Sequence, residues 1–544
     1  MDNRRLVLLL VFSFSLVMLW NAWQKQSRPA PVTSAPAANS VGNAAVPTPT
    51  MRPQAAGAVP AAAPAAAAPQ VAYATVKTDL YQADISALGG DLVRLELLKL
   101  RATEDKTKNF VLFDEAYLYA AQSGLIGPGL PNHKTMWQLP AGGDELKEGE
   151  NELRLRLTAE GAGGVQVVKT YIFHRGSYLI DVEYDVSNGG ASPLAPSAYF
   201  QLVRDDKEPA GGSTRIASTF TGPAFYSEAG KYQKVTFADI AKGKDKHVDK
   251  ADDGWVAMVQ HYFVSAWLPP DHGEREFYAR KLGDGFYAAG VIVPMAAVAP
   301  GTTGKIVVPL YAGPQMQDKL KQIAPGLSLV VDYGWLTVIA APLFWVLELI
   351  HRVTGNWGWS IIGLTVLLKL AFFPLYAASY KSMAKMRLLT PKLTKLKETH
   401  GDDRQRLNTE MMELYKKEKV NPLGGCLPIV VQIPVFIALY WVLLGSVEMR
   451  QATWLGWIND LSAKDPYFIL PIIMGVTMLV QTRLNPTPPD PIQAKVMWIM
   501  PIVFTGMFFM FPAGLVLYWT VNNLLSIAQQ WQINRMIEAG GHKK

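Results

Sequence analysis

The chain holds a single cysteine, Cys426, in 544 residues. No intramolecular disulfide can form, and this side chain reads as a small buried hydrophobe. No Gly-rich loop leads into a Lys-Ser or Lys-Thr pair, so no Walker-type phosphate site and no nucleotide hydrolysis are expected. His174 and His261 fall in strand-like stretches, and nothing around them has the spacing of a metal site or a catalytic triad. No cofactor is expected. Acidic residues are missing from four apolar stretches, 427–444, 467–482, 496–511 and 515–531, which leaves any cation buried among them without a carboxylate partner there.

Apolar sequence is what the chain has in excess. Hydrophobic residues make up 49% of it and mean hydropathy is +0.10. Gathered in blocks, that composition describes an integral membrane protein with a sizeable soluble part. The formal charge of +7 concentrates beside the apolar blocks, where basic residues set membrane orientation, and no sequence-specific nucleic-acid binding is expected.

Arg4 and Arg5 precede an apolar run, Leu6 to Trp20, without a small-residue cleavage site directly after it. Residues 1–25 read as a signal-anchor span with a cytoplasmic N-terminus, cleavage further on among the alanines being the alternative. Residues 26–70 are an Ala/Pro-rich linker that cannot bury enough surface to fold. Over residues 71–320 the pattern turns to alternation: Leu153, Leu155 and Leu157 interleave with Glu152, Arg154 and Arg156, and Ile180, Val182, Tyr184 and Val186 with Asp181, Glu183 and Asp185. One face of each strand is then buried, which predicts a large antiparallel β-sandwich. Two apolar segments follow closely. The loop after Tyr376 carries eleven Lys or Arg against six acidic residues up to Asn421, which places it inside and allows only one crossing between it and the outer sandwich. Residues 321–355, with Pro342, Glu348, His351 and Arg352, are assigned to an amphipathic helix on the outer surface, and residues 356–376 to the second span.

In residues 377–421, Met386, Leu389, Leu393 and Leu396, then Leu407, Met411 and Leu414, recur at heptad spacing, with Asp402 and Gln405 spaced as a capping box. This predicts a helical hairpin, either a solvated spacer or a docking arm. Residues 422–534 supply four more spans, and 535–544 form a basic cytoplasmic tail. The fold class is thus a polytopic α-helical membrane protein of six spans with a large outer antiparallel β-sandwich.

Lys369 lies within the second span, where a lysine near a helix centre costs about 2.5 to 3.5 kcal/mol. It is seven residues from Tyr376, roughly 10 Å at 1.5 Å per residue and farther than a lysine comfortably snorkels. Thr365 sits one turn before it on the same face, and the spans supply further polar groups at Gln432, Gln481, Thr505, Thr520, Asn522 and Asn523. They predict a polar, water-containing concavity. The stretch Val496 to Phe511, at 16 residues, is about 24 Å long against about 30 Å of hydrocarbon, which favours local thinning of the bilayer.

Gly355-Asn356-Trp357-Gly358-Trp359-Ser360, Met383-Ala384-Lys385-Met386, Asn421-Pro422-Leu423-Gly424-Gly425-Cys426-Leu427-Pro428 and Pro512-Ala513-Gly514-Leu515-Val516-Leu517-Tyr518-Trp519 together resemble the YidC membrane-protein insertase family in its Gram-negative form, over essentially the whole chain. The resemblance implies a bacterial inner-membrane location, a five-helix insertase core and a periplasmic domain shaped like a sugar-mutarotase sandwich. It also implies a hydrophilic groove open to cytoplasm and lipid, nascent membrane proteins as clients, and the ribosome and Sec translocon as partners. The expected substrate groove comprises Lys369, Thr365, Gln432, Thr505, Trp519 and Asn522. The family usually has arginine at the position of Lys369; lysine keeps the charge and loses the guanidinium fork. Two other classes of function compete with this one. A secondary transporter would use Lys369 as a substrate ligand but lacks a repeated pair of broken spans. A periplasmic carbohydrate enzyme rests on fold analogy alone.

Overall fold

The structure, a computed structural model, describes residues 71–541 apart from 141, 210–218, 271, 284, 401–402, 419–426 and 486–490. The expected signal anchor and linker, Asp402 and Cys426 lie outside the described residues. The chain divides into two compact units, one ending at Pro314 and including Lys321–Val330, the other formed by Gln315–Leu320 and everything from Val331 onward.

Among the described residues, the first unit holds one sheet of ten strands and one of eight. In the eight-stranded sheet Glu152–Glu160, Val165–His174 and Leu179–Asn188 form successive antiparallel pairs with Leu155 opposite Tyr171 and Tyr171 opposite Val182. Leu153, Leu155 and Leu157 point inward and the charged residues between them outward, as a period of two requires. The two sheets meet through aromatic side chains: Tyr184 lies 6.3 Å from Phe200, and Phe200 lies 5.0 Å from Trp267, between ring centroids. Full burial of side chains this large contributes roughly 1.5 to 3 kcal/mol each. One pairing departs from the antiparallel expectation. Val76 and Lys77 pair in parallel with Asp144 and Glu145, a two-residue patch fastened by a Lys77–Glu145 ion pair of 2.8 Å.

A polar group also crosses this core. Lys169 is fully buried and donates to the carbonyl of Gly90 at 2.7 Å, which also accepts from Tyr171 Oη at 2.7 Å. The adjoining Asp91 is buried too, and burial pushes its carboxyl up to about 7 while Lys169 opposes that shift.

The second unit is helical. We number its helices α1 (Thr337–Thr354), α2 (Trp357–Ala371), α3 (Phe373–His400), α4 (Arg404–Lys417), α5 (Leu427–Gly445), α6 (Ile469–Leu484), α7 (Pro491–Phe508) and α8 (Ala513–Gly541). α1 ends at Gly355, whose left-handed φ of 65° lets its N–H close on the His351 carbonyl. Asn356 then caps α2, its side chain accepting from the N–H groups of Gly358 and Trp359 at 3.0 and 3.2 Å. α1 packs on α2 and α5 through Ala340, Leu343, Phe344 and Leu347, while Trp335, Val338, Trp345 and Val353 remain exposed. Apolar on both faces, Gly334–Thr354 is the one unbroken helix among the described residues with the length and apolarity to cross a membrane.

The segment 356–376, expected to be a single spanning helix, is not one. It breaks at Phe372, and α2 and the start of α3 meet at 66°. Pro374 is the cause: it has no N–H for the Leu370 carbonyl and its ring crowds that carbonyl. α3 then continues without interruption into the hairpin, where Leu389 and Leu393 are buried against Met386, Met411, Leu414 and Tyr415. Asp403 caps α4, accepting from the Gln405 and Arg406 N–H groups at 3.1 and 3.0 Å. α7 begins earlier and ends earlier than the stretch 496–511, because Pro491 suits the first helical turn and the chain turns before Pro512. Its apolar part is Ala494–Phe508. α8 packs on α2, α3, α5 and α6, so its residues face the others at the centre of the unit. Just past the C-terminal end of α5, burial pushes Glu448 up to about 7, with Glu348 and Asp318 adding to the shift.

Candidate functional site

Lys369 is on the last turn of α2 and is 4% exposed. Its ammonium donates to Ser526 Oγ on α8 at 2.7 Å and lies 3.9 Å from the centroid of the Tyr376 ring on α3. Among the described residues it makes no ion pair. A hydroxyl and an aromatic face therefore stabilise the cation, which a ring quadrupole does most effectively where water is scarce.

The two partners of Lys369 belong to one hydrogen-bonded chain. Tyr376 Oη donates to Gln432 Oε1 on α5 at 2.8 Å, and Gln432 Nε2 donates to Asn522 Oδ1 on α8 at 2.7 Å. Ser526 Oγ donates back to the Asn522 carbonyl at 2.7 Å, so it can accept from Lys369. Thr365, 1% exposed, donates its hydroxyl to the Ile361 carbonyl at 2.7 Å. Thr365, Lys369, Tyr376, Gln432, Tyr518 and Asn522 line a cavity of about 10 Å³, room for about one water.

Four of the six expected residues, Lys369, Thr365, Gln432 and Asn522, thus converge. Thr505 and Trp519 do not line this cavity. Thr505 faces α6: a methyl group added to Gly475 would stand 2.3 Å from its hydroxyl, and that hydroxyl donates to the Pro501 carbonyl at 2.6 Å. Trp519 packs against Phe436 and Phe508, at 4.7 and 5.7 Å between centroids. Its indole N–H is buried without a partner among the described residues. The neighbouring Tyr518 lines the cavity in its place, because one residue along a helix rotates the side chain by about 100°.

Sequence reasoning missed Tyr376 and Ser526. Ser526 was within reach, since it follows Asn522 by one turn on the same face of α8. Tyr376 carried no such signal, because its approach to Lys369 depends on the break at Phe372.

A β-sandwich followed by an apolar helical unit with a polar, cationic centre defines the class of protein. Comparison with known proteins gives the particular family. Residues 73–346 match the family described as the YidC periplasmic domain, and residues 349–540 the family described as 60Kd inner membrane protein. A membrane protein insertase YidC of Aromatoleum aromaticum is 65% identical over 99% of this chain and 98% of its own length. That of Dechloromonas aromatica is 60% identical with the same coverage. An active YidC insertase crystal structure with its first transmembrane domain resolved is 18% identical, covers 84% of this chain and 93% of that one, and superposes with a TM-score of 0.39. The chain belongs to the YidC membrane protein insertase family. The β-sandwich is its periplasmic domain and the helical unit belongs to its inner-membrane part.

Proposed function

We propose that the protein is a membrane protein insertase that takes a short polar segment of a nascent membrane protein into the groove around Lys369 and releases the adjoining apolar helix into lipid. The observation that carries this reading is Lys369 itself, 4% exposed, held by a hydroxyl and a ring and free of any acidic partner among the described residues. Such a cation is costly in an apolar unit, and a use for it is attraction of acidic groups on a client's tail. Thr365, Gln432 and Asn522 supply hydrogen bonds for the remaining polar groups, while Trp519 and Thr505 flank the route along α5 and α7.

Partitioning supplies the driving force. About 20 residues at −0.3 to −0.6 kcal/mol each release roughly 6 to 12 kcal/mol on entering lipid, enough to outweigh a short polar tail without covalent chemistry or nucleotide hydrolysis. The apolar part of α7, Ala494–Phe508, spans only about 22 Å at 1.5 Å per residue and favours a thinned bilayer beside the groove. The basic hairpin α3–α4 orients to the cytoplasm and is a docking arm for the ribosome, and insertion proceeds alone or with the Sec translocon. In this arrangement the chain has six spans with both termini cytoplasmic, and α1 lies in the outer interface with Trp335 and Trp345 toward the headgroups.

Site-specific crosslinkers at Thr365, Gln432 and Trp519, tested against a ribosome-bound nascent client, read this directly. Crosslinks to the client's polar tail are expected at all three positions. Crosslinks confined to the exposed outer faces, at positions such as Ile472 or Ile502, would sink the groove.

A further inference from the structure

The site around Lys369 is already filled by the protein's own groups. Ser526 Oγ accepts from the ammonium at 2.7 Å and the Tyr376 ring covers it at 3.9 Å. The adjoining cavity of about 10 Å³ takes one water and is too small for a carboxylate. An acidic group can reach the ammonium only after one of these two partners leaves. Of the two, Tyr376 is the one that adjoins a break in its helix. It lies one turn beyond the 66° break at Phe372, and its hydroxyl is held by a single bond to Gln432 at 2.8 Å.

We propose that Tyr376 and Ser526 are resident ligands of Lys369 that a client's acidic group must displace, and that they set how much negative charge a tail needs before it is captured. The inference rests on the insertase reading above and specifies the selectivity of the same site. It makes Tyr376 and Ser526 specificity-determining residues: they compete with the client for the cation. Weakening either one raises the selectivity for acidic tails, the opposite of what loss of an ordinary substrate-binding residue does.

The test uses full-length protein in vesicles and a client carrying either two Asp or two Asn in its translocated tail. The readout is the ratio of the two insertion rates within each variant, which cancels losses of folded or active protein. Removing a hydrogen bond to a charged group changes an equilibrium by about tenfold or more, and a desolvated cation–π contact is of about the same size, so Ser526→Ala and Tyr376→Leu are each expected to raise the Asp/Asn ratio about tenfold. Ser526→Thr keeps the hydroxyl and is expected to retain the wild-type ratio; Tyr376→Phe keeps the ring but frees it from Gln432, and is expected to raise the ratio less than Tyr376→Leu does. Wild-type preference for Asp with a ratio unchanged or lowered in both Ser526→Ala and Tyr376→Leu would overturn the resident-ligand proposal while leaving the insertase groove standing. A wild-type ratio of one would overturn both. Tyr376→Phe behaving like Tyr376→Leu would overturn the role of the ring.

Discussion

Reversing the charge at position 369 separates electrostatic capture from general upkeep of the groove. Unit charges 4 Å apart attract by about 1 kcal/mol in bulk water and about 4 kcal/mol at the effective dielectric of 20 typical near protein surfaces. Lys369→Glu turns attraction into repulsion, so one acidic group in contact loses about 2 kcal/mol at the wet end of that range and more toward the dry end. Two kcal/mol is roughly thirtyfold in rate. A neutral tail feels none of this term, although it shares any structural damage, because Glu cannot rest on the Tyr376 ring face that Lys369 occupies at 3.9 Å. The assay is insertion into protein-containing vesicles, scored by protection of the translocated tail from protease, for clients whose tails carry three, one or no acidic residues. Lys369→Arg is expected to retain insertion across the series, Lys369→Gln to flatten its charge dependence, and Lys369→Glu to invert it, the three-acid client suffering most. Equal activity of wild type and Lys369→Glu on every tail would refute the electrostatic role of Lys369.

Two further outcomes test the fold around the site. Gly358→Ala places a methyl 2.2 to 2.8 Å from the Trp454 side chain at the capped start of α2, an overpacking expected to cost about 1 to 3 kcal/mol and to lower the thermal midpoint in detergent; Trp454→Leu in the same chain should recover part of the loss. In the periplasmic domain, burial raises the Asp91 carboxyl from 3.8 to about 7 against the opposing pull of Lys169. The native state therefore keeps a proton that the unfolded chain releases. That contribution, up to about 4 kcal/mol, is present below pH ~4 and lost as pH rises through ~7. Tryptophan-fluorescence unfolding of Asp91→Asn should be flatter with pH over this window than that of the wild type, and parallel curves would refute the assignment.

The strands were legible where burial is one-sided. Leu153, Leu155 and Leu157 read directly as an inward face because their charged neighbours stay outside. Lys169 was not legible, since it occupies an inward position beside Val165, Val167 and Tyr171, and the carbonyl that satisfies it, at Gly90, is 79 residues away. In the helical unit, Thr365 and Lys369 share a face by local spacing alone, and Gln432 and Asn522 stood out as amides in apolar helices. Thr505 stood out as a hydroxyl in an apolar helix and Trp519 through the motif it closes, but which face of a helix meets which neighbour is a tertiary property. The partners of Lys369 were hidden for two different reasons. Ser526 is 157 residues distant in sequence. Tyr376 is seven residues on, about two turns and 10 Å along an unbroken helix; Pro374 ends α2 and brings the ring within 3.9 Å instead.

The same geometry bears on why a lysine suits this place. An ammonium has three donors on a compact head, whereas a guanidinium has five in a rigid plane. One hydroxyl and one ring face satisfy most of what an ammonium requires, and the space left beside it, about 10 Å³, is enough for a single water to take a remaining donor. A guanidinium in that space would have more N–H groups than Ser526, the Tyr376 ring and one water can meet, and each buried donor left unmet is expensive. Lys369, Tyr376 and Ser526 therefore form a matched set for a closed groove. Lys369→Arg keeps the charge that clients respond to, so every tail is still inserted, but it should hold the groove further open at rest and steepen the preference for acidic tails, shifting the Asp/Asn ratio in the same direction as Tyr376→Leu.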